Sequence, residues 1–391
     1  MPESTAKTET QPTLAERLRQ RIRREGPLSF RDWMDAALYD PQGGYYQRSD
    51  LARWGHAGDY RTSAERSPLF AATLAGYFAA LYEEMGAPPQ FDIIEAGAGD
   101  GSFARGVLET LRRDHAAVFA ATRYVIDEIS NNARRRIKER LSDFADVFEF
   151  ASVTNFAAGS QTGIVFSNEL LDAFPVHRVT RRGGRFLELH VGLNEREEFV
   201  WSELEPSTPQ LAEHCARQQI DVTEGQTVEV NLAADEWIAR AASLLVRGFV
   251  VIIDYGDEAA KLYQDPHRRA GTLRAFRQHQ FADDILANPG EQDLTATIDW
   301  THIRRAGESA GLHTVLFTRQ DDFLLRAGLL RQLEQATARA TTEAESLKLR
   351  VSTRDLILPG GMSESFQVLV QEKRSAISNQ EEQTAVASPD G

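Results

Sequence analysis

The strongest chemical signal in the chain is a glycine run behind an acid, Glu95-Ala96-Gly97-Ala98-Gly99-Asp100-Gly101. It follows an apolar run, Phe91 to Ala96, that reads as a strand, and it opens a helical pattern carrying Phe103, Val107, Leu108 and Leu111. Glycine has no Cβ, so it admits unusual dihedrals and lets a ligand approach the peptide N–H groups. A dinucleotide and S-adenosylmethionine both suit such a loop. The dinucleotide fingerprint asks for Gly or Ala at position 102. Here that position is Ser102, and the third glycine comes one residue early at Gly101. S-adenosylmethionine lacks a pyrophosphate but carries an ammonium group, for which Glu95 is a candidate partner. The spacing therefore leans towards S-adenosylmethionine, with Glu95, Gly97, Gly99 and Gly101 as cofactor-binding candidates.

Two further strand ends carry polar residues. Tyr124-Val125-Ile126 leads into Asp127-Glu128, and an acid there can accept both ribose hydroxyls. Glu128 lies 31 residues after Gly97, beyond the roughly 20 of the compact dinucleotide fingerprint. The fourth apolar run, Ile164 to Phe166, ends in Ser167-Asn168-Glu169-Leu170-Leu171-Asp172. Ligands of open α/β sheets bind beyond the carboxyl ends of the strands. Asn168 can orient a nucleophile, and Glu169 or Asp172 can pair with a cation such as a guanidinium. The plainer role for the same residues is helix capping and first-turn charge. There is no phosphate-loop, H-E-x-x-H or G-x-S-x-G motif. His214-Cys215 has no third partner in view, and no metal site is expected.

The elements that must position these residues follow from the pattern around them. Phe91–Ala96, Tyr124–Ile126, Val147–Phe150, Ile164–Phe166 and Phe249–Ile253 alternate with helical stretches, as in a parallel, doubly wound α/β sheet. The full expectation is a Rossmann-like doubly wound sheet with N-terminal helices and a large inserted substrate-side α+β region. The insertion is expected to hold a hairpin at Arg182-Gly183-Gly184 and a helix near Ala234 to Leu245. Residues 1–12 and 373–391 are polar and expected to be disordered. Residues 13–90 make an N-terminal helical region with an active-site loop. Residues 91–176 and 246–372 form the core, and 177–245 the insertion.

The chain has 391 residues with 44 Lys+Arg against 58 Asp+Glu, a net charge of −14. The length favours two structural units. The acidic balance argues against a nucleic-acid backbone as partner. One cysteine, Cys215, excludes an internal disulfide framework and a multi-cysteine zinc site. No run approaches the roughly 18 apolar residues of a membrane span. Residues 1–5, with an acid and no apolar run, resemble neither a secretory signal nor a transit peptide, so a bacterial-type cytoplasmic location is expected. Arg17, Arg19, Arg21, Arg23 and Arg24 ride a helix with Leu14, Leu18 and Ile22. They form a solvated face or, less plainly, a partner surface.

Taken together, several stretches resemble one family over residues 26–372: the S-adenosylmethionine-dependent methyltransferases that include the mitochondrial complex I assembly-factor arginine methyltransferase and its bacterial homologues. They are Gly26-Pro27-Leu28-Ser29-Phe30, Tyr39-Asp40-Pro41 with Gly44-Tyr45-Tyr46, Gly58-Asp59-Tyr60-Arg61-Thr62-Ser63, the glycine loop, Glu128-Ile129-Ser130, and Asn168 through Pro175. Gly271-Thr272-Leu273-Arg274 through Gln278-His279, and Leu286 through Thr295, are the most specific. The resemblance implies cofactor contacts at Gly97, Gly99 and Glu128. It also implies a closing loop at Gly58-Asp59, with Gly58 and Thr62 near the cofactor and Asp59 near the acceptor. It further implies methylation of an arginine on a protein subunit of respiratory NADH dehydrogenase. Tyr60, Ala64 and Ala71 depart from the family's usual Phe, Pro and Gly. A small-molecule acceptor on the same fold, and a cofactor-binding assembly factor with little turnover, are the alternatives.

Overall fold

The strands of the larger unit are apolar on both faces, which a sheet tolerates only when helices cover both sides. The computed structural model describes residues 12–48, 67–277, 280–358 and 365–374. They fall into two compact units, one drawn from Met1–Leu51, Pro175–Val230 and Arg269–Leu294, the other from Ala52–Phe174, Asn231–Arg268 and Thr295–Gly391. The larger unit holds β1 (Phe91–Ala96), β2 (Thr122–Asp127), β3 (Phe148–Phe150), β4 (Gln161–Asn168), β5 (Leu245–Asp257), β6 (His313–Arg319) and β7 (Phe366–Lys373). Their order is β3-β2-β1-β4-β5-β7-β6. The first five run parallel to one another. Strand β7 runs antiparallel to both β5 and β6. The sheet is thus mostly parallel, and the chain reverses its direction of growth between β1 and β4.

Strand side chains alternate faces, and the core divides accordingly. Ile93, Tyr124, Ile126, Phe166, Phe249, Val251 and Ile253 pack with α1 (Pro68–Glu84), α2 (Ser102–Asp114) and α3 (Asn131–Arg140). Ile94, Val125, Val165, Val250 and Ile252 pack with α4 (Leu232–Leu244) and α5 (Trp300–Ser309). Burial against the sheet therefore places α1 and α4 in the larger unit. The expected division had grouped them with the N-terminal region and the insertion. Strands β6 and β7 fall outside the expected set, although Val315–Phe317 and Val368–Val370 are apolar runs as long as Tyr124–Ile126. Strand β6 is an edge strand with no fully buried residue, so its composition carries a weak signal.

In the smaller unit the sheet order is Leu28–Ser29, Arg185–Leu193, His177–Arg182, Thr227–Val230, with Phe199–Leu204 also pairing with Arg185–Leu193. Arg182 pairs with Arg185 around Gly183 and Gly184, both at positive φ, the shape a two-residue hairpin turn requires. The Glu224 carboxylate accepts both glycine N–H groups, at 2.7 and 3.1 Å. The basic helix Leu14–Glu25 begins with a reciprocal cap between Thr13 and Glu16. Its arginines have partners within the unit: Arg17 pairs with Asp40 at 2.5 Å, Arg23 with Glu197, and Arg21 and Arg24 share Glu25. Arg19 donates to the Glu197 carbonyl at 2.8 Å and lies over the Phe199 ring. The basic stripe is thus tied down locally. Among the described residues no helix is long and apolar enough to cross a membrane.

Three strands approach closely at Asp92, Gly163 and Gly248, which stand opposite one another in β1, β4 and β5. A Cβ on Gly163 would lie 2.0 Å from the Asp92 carbonyl oxygen, and one on Gly248 would lie 1.9 Å from that of Gly163. Both clashes are with backbone, which cannot rotate away. Gly163→Ala should therefore destabilise the protein by roughly 1–3 kcal/mol or more, read as a lowered midpoint in urea unfolding. An unchanged midpoint would show that the strands can part without cost.

Candidate functional site

The glycine loop sits between β1 and α2, where strand β1 leaves the sheet. Gly97, Gly99 and Gly101 all have positive φ (72°, 59° and 79°), a region that side-chain-bearing residues rarely adopt. Gly97 also faces Leu170, whose Cδ1 would lie 2.8 Å from an added Cβ, and Gly101 faces Ile137 at 3.0 Å. At both glycines the positive φ sets the requirement, and an added Cβ would also make a neighbouring side chain shift. Asp100 Oδ1 accepts the Ser102 N–H at 3.0 Å, and Arg140 of α3 pairs with Asp100 Oδ2 at 2.8 Å.

The two acids after β2 take different directions. Asp127 accepts the Val153 N–H at 2.9 Å and the Ser152 hydroxyl at 3.4 Å. Burial raises its carboxyl above the usual range, against those two bonds. Glu128 instead reaches the glycine loop: Oε2 accepts the Gly99 N–H at 3.1 Å, and Oε1 accepts the Ser130 N–H at 2.7 Å. Of the pair, Glu128 is the acid beside the loop. Glu95 is buried and accepts the Tyr124 hydroxyl at 2.7 Å. Burial pushes its carboxyl up to about 8; the Tyr124 hydrogen bond opposes this, and the charges of Glu128 and Asp100 add to it.

Strand β4 ends opposite Ile253 of β5. The last ladder bond runs from the Glu169 N–H to the Ile253 carbonyl at 2.9 Å. Glu169 then turns away with φ of 52°, unusual for a residue bearing a side chain and a sign of local constraint. Asn168 Nδ2 donates to Glu169 Oε1 at 3.0 Å. Asn168 Oδ1 and Ser167 Oγ are buried and have no hydrogen-bond partner among the described residues. Asp172 is buried, and its carbonyl accepts the Ala296 N–H at 2.9 Å. Through the Gly97–Leu170 contact, the turn and the glycine loop meet directly.

Asp254, the next residue of β5, is wholly buried beneath the turn. Its Oδ2 accepts the Leu170 and Leu171 N–H groups at 3.2 and 3.0 Å, and its Oδ1 accepts the Tyr255 N–H at 2.9 Å. Burial pushes its carboxyl up to about 8; the backbone N–H bonds work against the shift and the Glu169 charge works with it. Tyr124, Ser167 and Asp254 belong to no local motif. Only the place of Asp254 just beyond the apolar run of β5 hints at it in the sequence. Gly58, Asp59 and Thr62 lie outside the described residues.

One end of the sheet thus offers a bare backbone loop, an acid beside it, and a polar turn with an unsatisfied acceptor oxygen. These groups fit S-adenosylmethionine. The glycines keep side chains off the loop, Glu128 can serve ribose hydroxyls, and Asn168 Oδ1 awaits a donor.

Residues 73–318 match a family described as "Putative S-adenosyl-L-methionine-dependent methyltransferase". A Burkholderia thailandensis protein described as a "likely methyl transferase", crystallised with S-adenosyl-homocysteine, is 30% identical with a TM-score of 0.81, and 92% of each chain is covered. The Drosophila melanogaster protein arginine methyltransferase NDUFAF7 homolog, mitochondrial, is 27% identical over 94% of this chain and 87% of its own. The Mus musculus protein arginine methyltransferase NDUFAF7, mitochondrial, is 26% identical over 89% and 82%.

The buried Glu95 carboxyl sets a pH dependence. Its folded-state value is raised from 4.5 to about 8, so between those values the native state keeps a proton that the unfolded chain has released. Stability from this group is complete below the lower value and declines as pH rises towards the upper. The decline is at most about 1.4 kcal/mol per pH unit. Glu95→Gln, which keeps an acceptor for Tyr124, should flatten that part of the urea midpoint's slope between pH 5 and 8. Parallel profiles for the two proteins would contradict a buried neutral acid.

Proposed function

The chain belongs to the S-adenosyl-L-methionine-dependent methyltransferases, and we propose that its acceptor is an arginine side chain of a protein. The observation that carries this reading is the turn after β4. There Asn168 bonds the Glu169 carboxyl through Nδ2 and keeps Oδ1 unsatisfied, and Leu170 of the same turn lies against Gly97 of the glycine loop. Relatives at 24–27% identity that are named protein arginine methyltransferases support the choice of acceptor. A subunit of respiratory NADH dehydrogenase, implied by resemblance, is the first acceptor to try.

S-adenosylmethionine, when bound, supplies a methyl group already activated on a positive sulfur. Glu128 and the main chain of Gly97–Gly101 would hold it. The protein's remaining work is to bind the acceptor, exclude water and place one nitrogen in line. A guanidinium carries only donors and stays protonated at neutral pH. Acceptor oxygens are therefore what the site must provide. Asn168 Oδ1 can take one N–H without adding charge. Glu169 and Asp172 can hold the cation bidentately or receive the proton that must leave as the N–C bond forms and the S–C bond breaks. Asp59 is a further candidate from the sequence.

Purified protein given labelled S-adenosylmethionine and a lysate of its host should label a protein band, and hydrolysis of that band should yield methylarginine. Asn168→Ala should lower kcat by roughly 10- to 100-fold through loss of orientation. Label confined to small molecules would overturn the protein acceptor and favour a small-molecule methyltransferase.

A further inference from the structure

We infer that Asp254 is a positioning residue for methyl transfer: its buried carboxyl holds the Glu169–Asp172 turn in the shape that presents Asn168, Glu169 and Asp172 to the acceptor. This rests on the proposal that the turn receives the acceptor. Asp254 stands where the β4–β5 ladder stops. As far as Ile253, the main chain of β5 bonds with that of β4, and the Glu169 N–H still finds the Ile253 carbonyl at 2.9 Å. One residue later β4 has turned away, and the Leu170 and Leu171 N–H groups have no strand to bond. The Asp254 side chain replaces the missing ladder, taking both N–H groups on one oxygen. The Asp172 N–H also points at this carboxyl. The other oxygen is committed to the Tyr255 N–H, which fixes the carboxyl plane.

The consequence reaches both sides of the site. Leu170, held from below by Asp254, is the residue that packs on Gly97. The backbone of Glu169, at φ 52°, lies between two anchored points, the Ile253 carbonyl behind it and the Asp254 carboxyl ahead. A turn so held keeps an unfavourable dihedral that a free segment would relax. No substitution keeps the arrangement whole. Asparagine offers one acceptor oxygen and one donor group, so at least one buried N–H faces another N–H. Glutamate would push the carboxyl one methylene into a filled space.

In Asp254→Asn, checked for native circular dichroism, kcat should fall by roughly 10- to 100-fold. Affinity for S-adenosyl-homocysteine by calorimetry should fall much less than kcat, because Glu128 keeps its bonds to Gly99 and Ser130, and the turn meets the loop at Gly97 alone among these residues. Amide exchange should rise in the peptide spanning 168–173 and not in β1. The double variant Asn168→Ala/Asp254→Asn should be no slower than the slower single variant, since both act through the same turn. Wild-type kcat in Asp254→Asn, multiplicative losses in the double variant, or a parallel loss of S-adenosyl-homocysteine affinity would each overturn the inference. If Asp254→Asn does not fold, wild-type exchange still decides: the Leu170 and Leu171 amides should be as protected as those of β4, and rapid exchange there rejects the anchor. Asn168→Ala, Glu169→Gln and Asp172→Asn all running at wild-type speed would bring down the proposed acceptor site itself. Asp254→Asn alone doing so removes only this positioning role.

Discussion

At the carboxyl edge of a parallel sheet, each strand hands its chain to a loop, and the N–H groups just past the last ladder bond need acceptors. Buried N–H groups are almost never left unpaired. In this protein acids meet that need at successive strand ends. Glu128 takes Gly99 and Ser130, Asp127 takes Val153, Asp100 takes Ser102, and Asp254 takes Leu170, Leu171 and Tyr255. The carboxylates that make this edge look like a binding site are therefore the same ones that shape its loops. Structure and chemistry are not alternatives here, because a side chain that fixes a loop also sets the charge beside it.

Crowding several acids at one edge has an electrostatic cost, which protonation relieves. Burial raises Glu95, Asp127 and Asp254 above the ordinary carboxyl range. Glu95 reaches about 8, so near neutral pH it is largely a neutral acid. Glu128, beside the loop, and Glu169, on the turn, are only half-buried.

The loop and the turn are fitted to each other. A Cβ on Gly97 would force the Leu170 side chain to shift, and the Leu170 N–H is held by Asp254. In the smaller unit arginine does comparable work with the opposite sign. Arg178 is buried, bonded to Glu229 at 3.0 Å and to the Ala270 carbonyl at 2.6 Å, and lies over Trp201. The arginines of Leu14–Glu25 likewise go to partners in their own unit. The stripe of five basic residues reads first as a solvated face, and in place its arginines are half-buried or exposed, and Arg17, Arg21, Arg23 and Arg24 pair with acids of their own unit.

What the residues determined by themselves was whatever short-range physics controls. Apolar runs made β1, β2, β4 and β5 legible, and the glycine spacing marked a loop of positive-φ residues at the first strand end. Asn168, Glu169 and Asp172 stood out because three polar residues follow an apolar run. Strands β6 and β7 were not legible, since an edge strand is only half covered and β7 owes its direction to its neighbours rather than to its own pattern. The division of labour between Asp127 and Glu128 was open in the sequence, where the two are merely adjacent; successive strand side chains point opposite ways, and only the folded edge shows which one meets Gly99. Asp254 was silent for a related reason. Its partners on the turn lie 83 and 84 residues away, and one aspartate after an apolar run has no pattern until the sheet brings a departing strand alongside it.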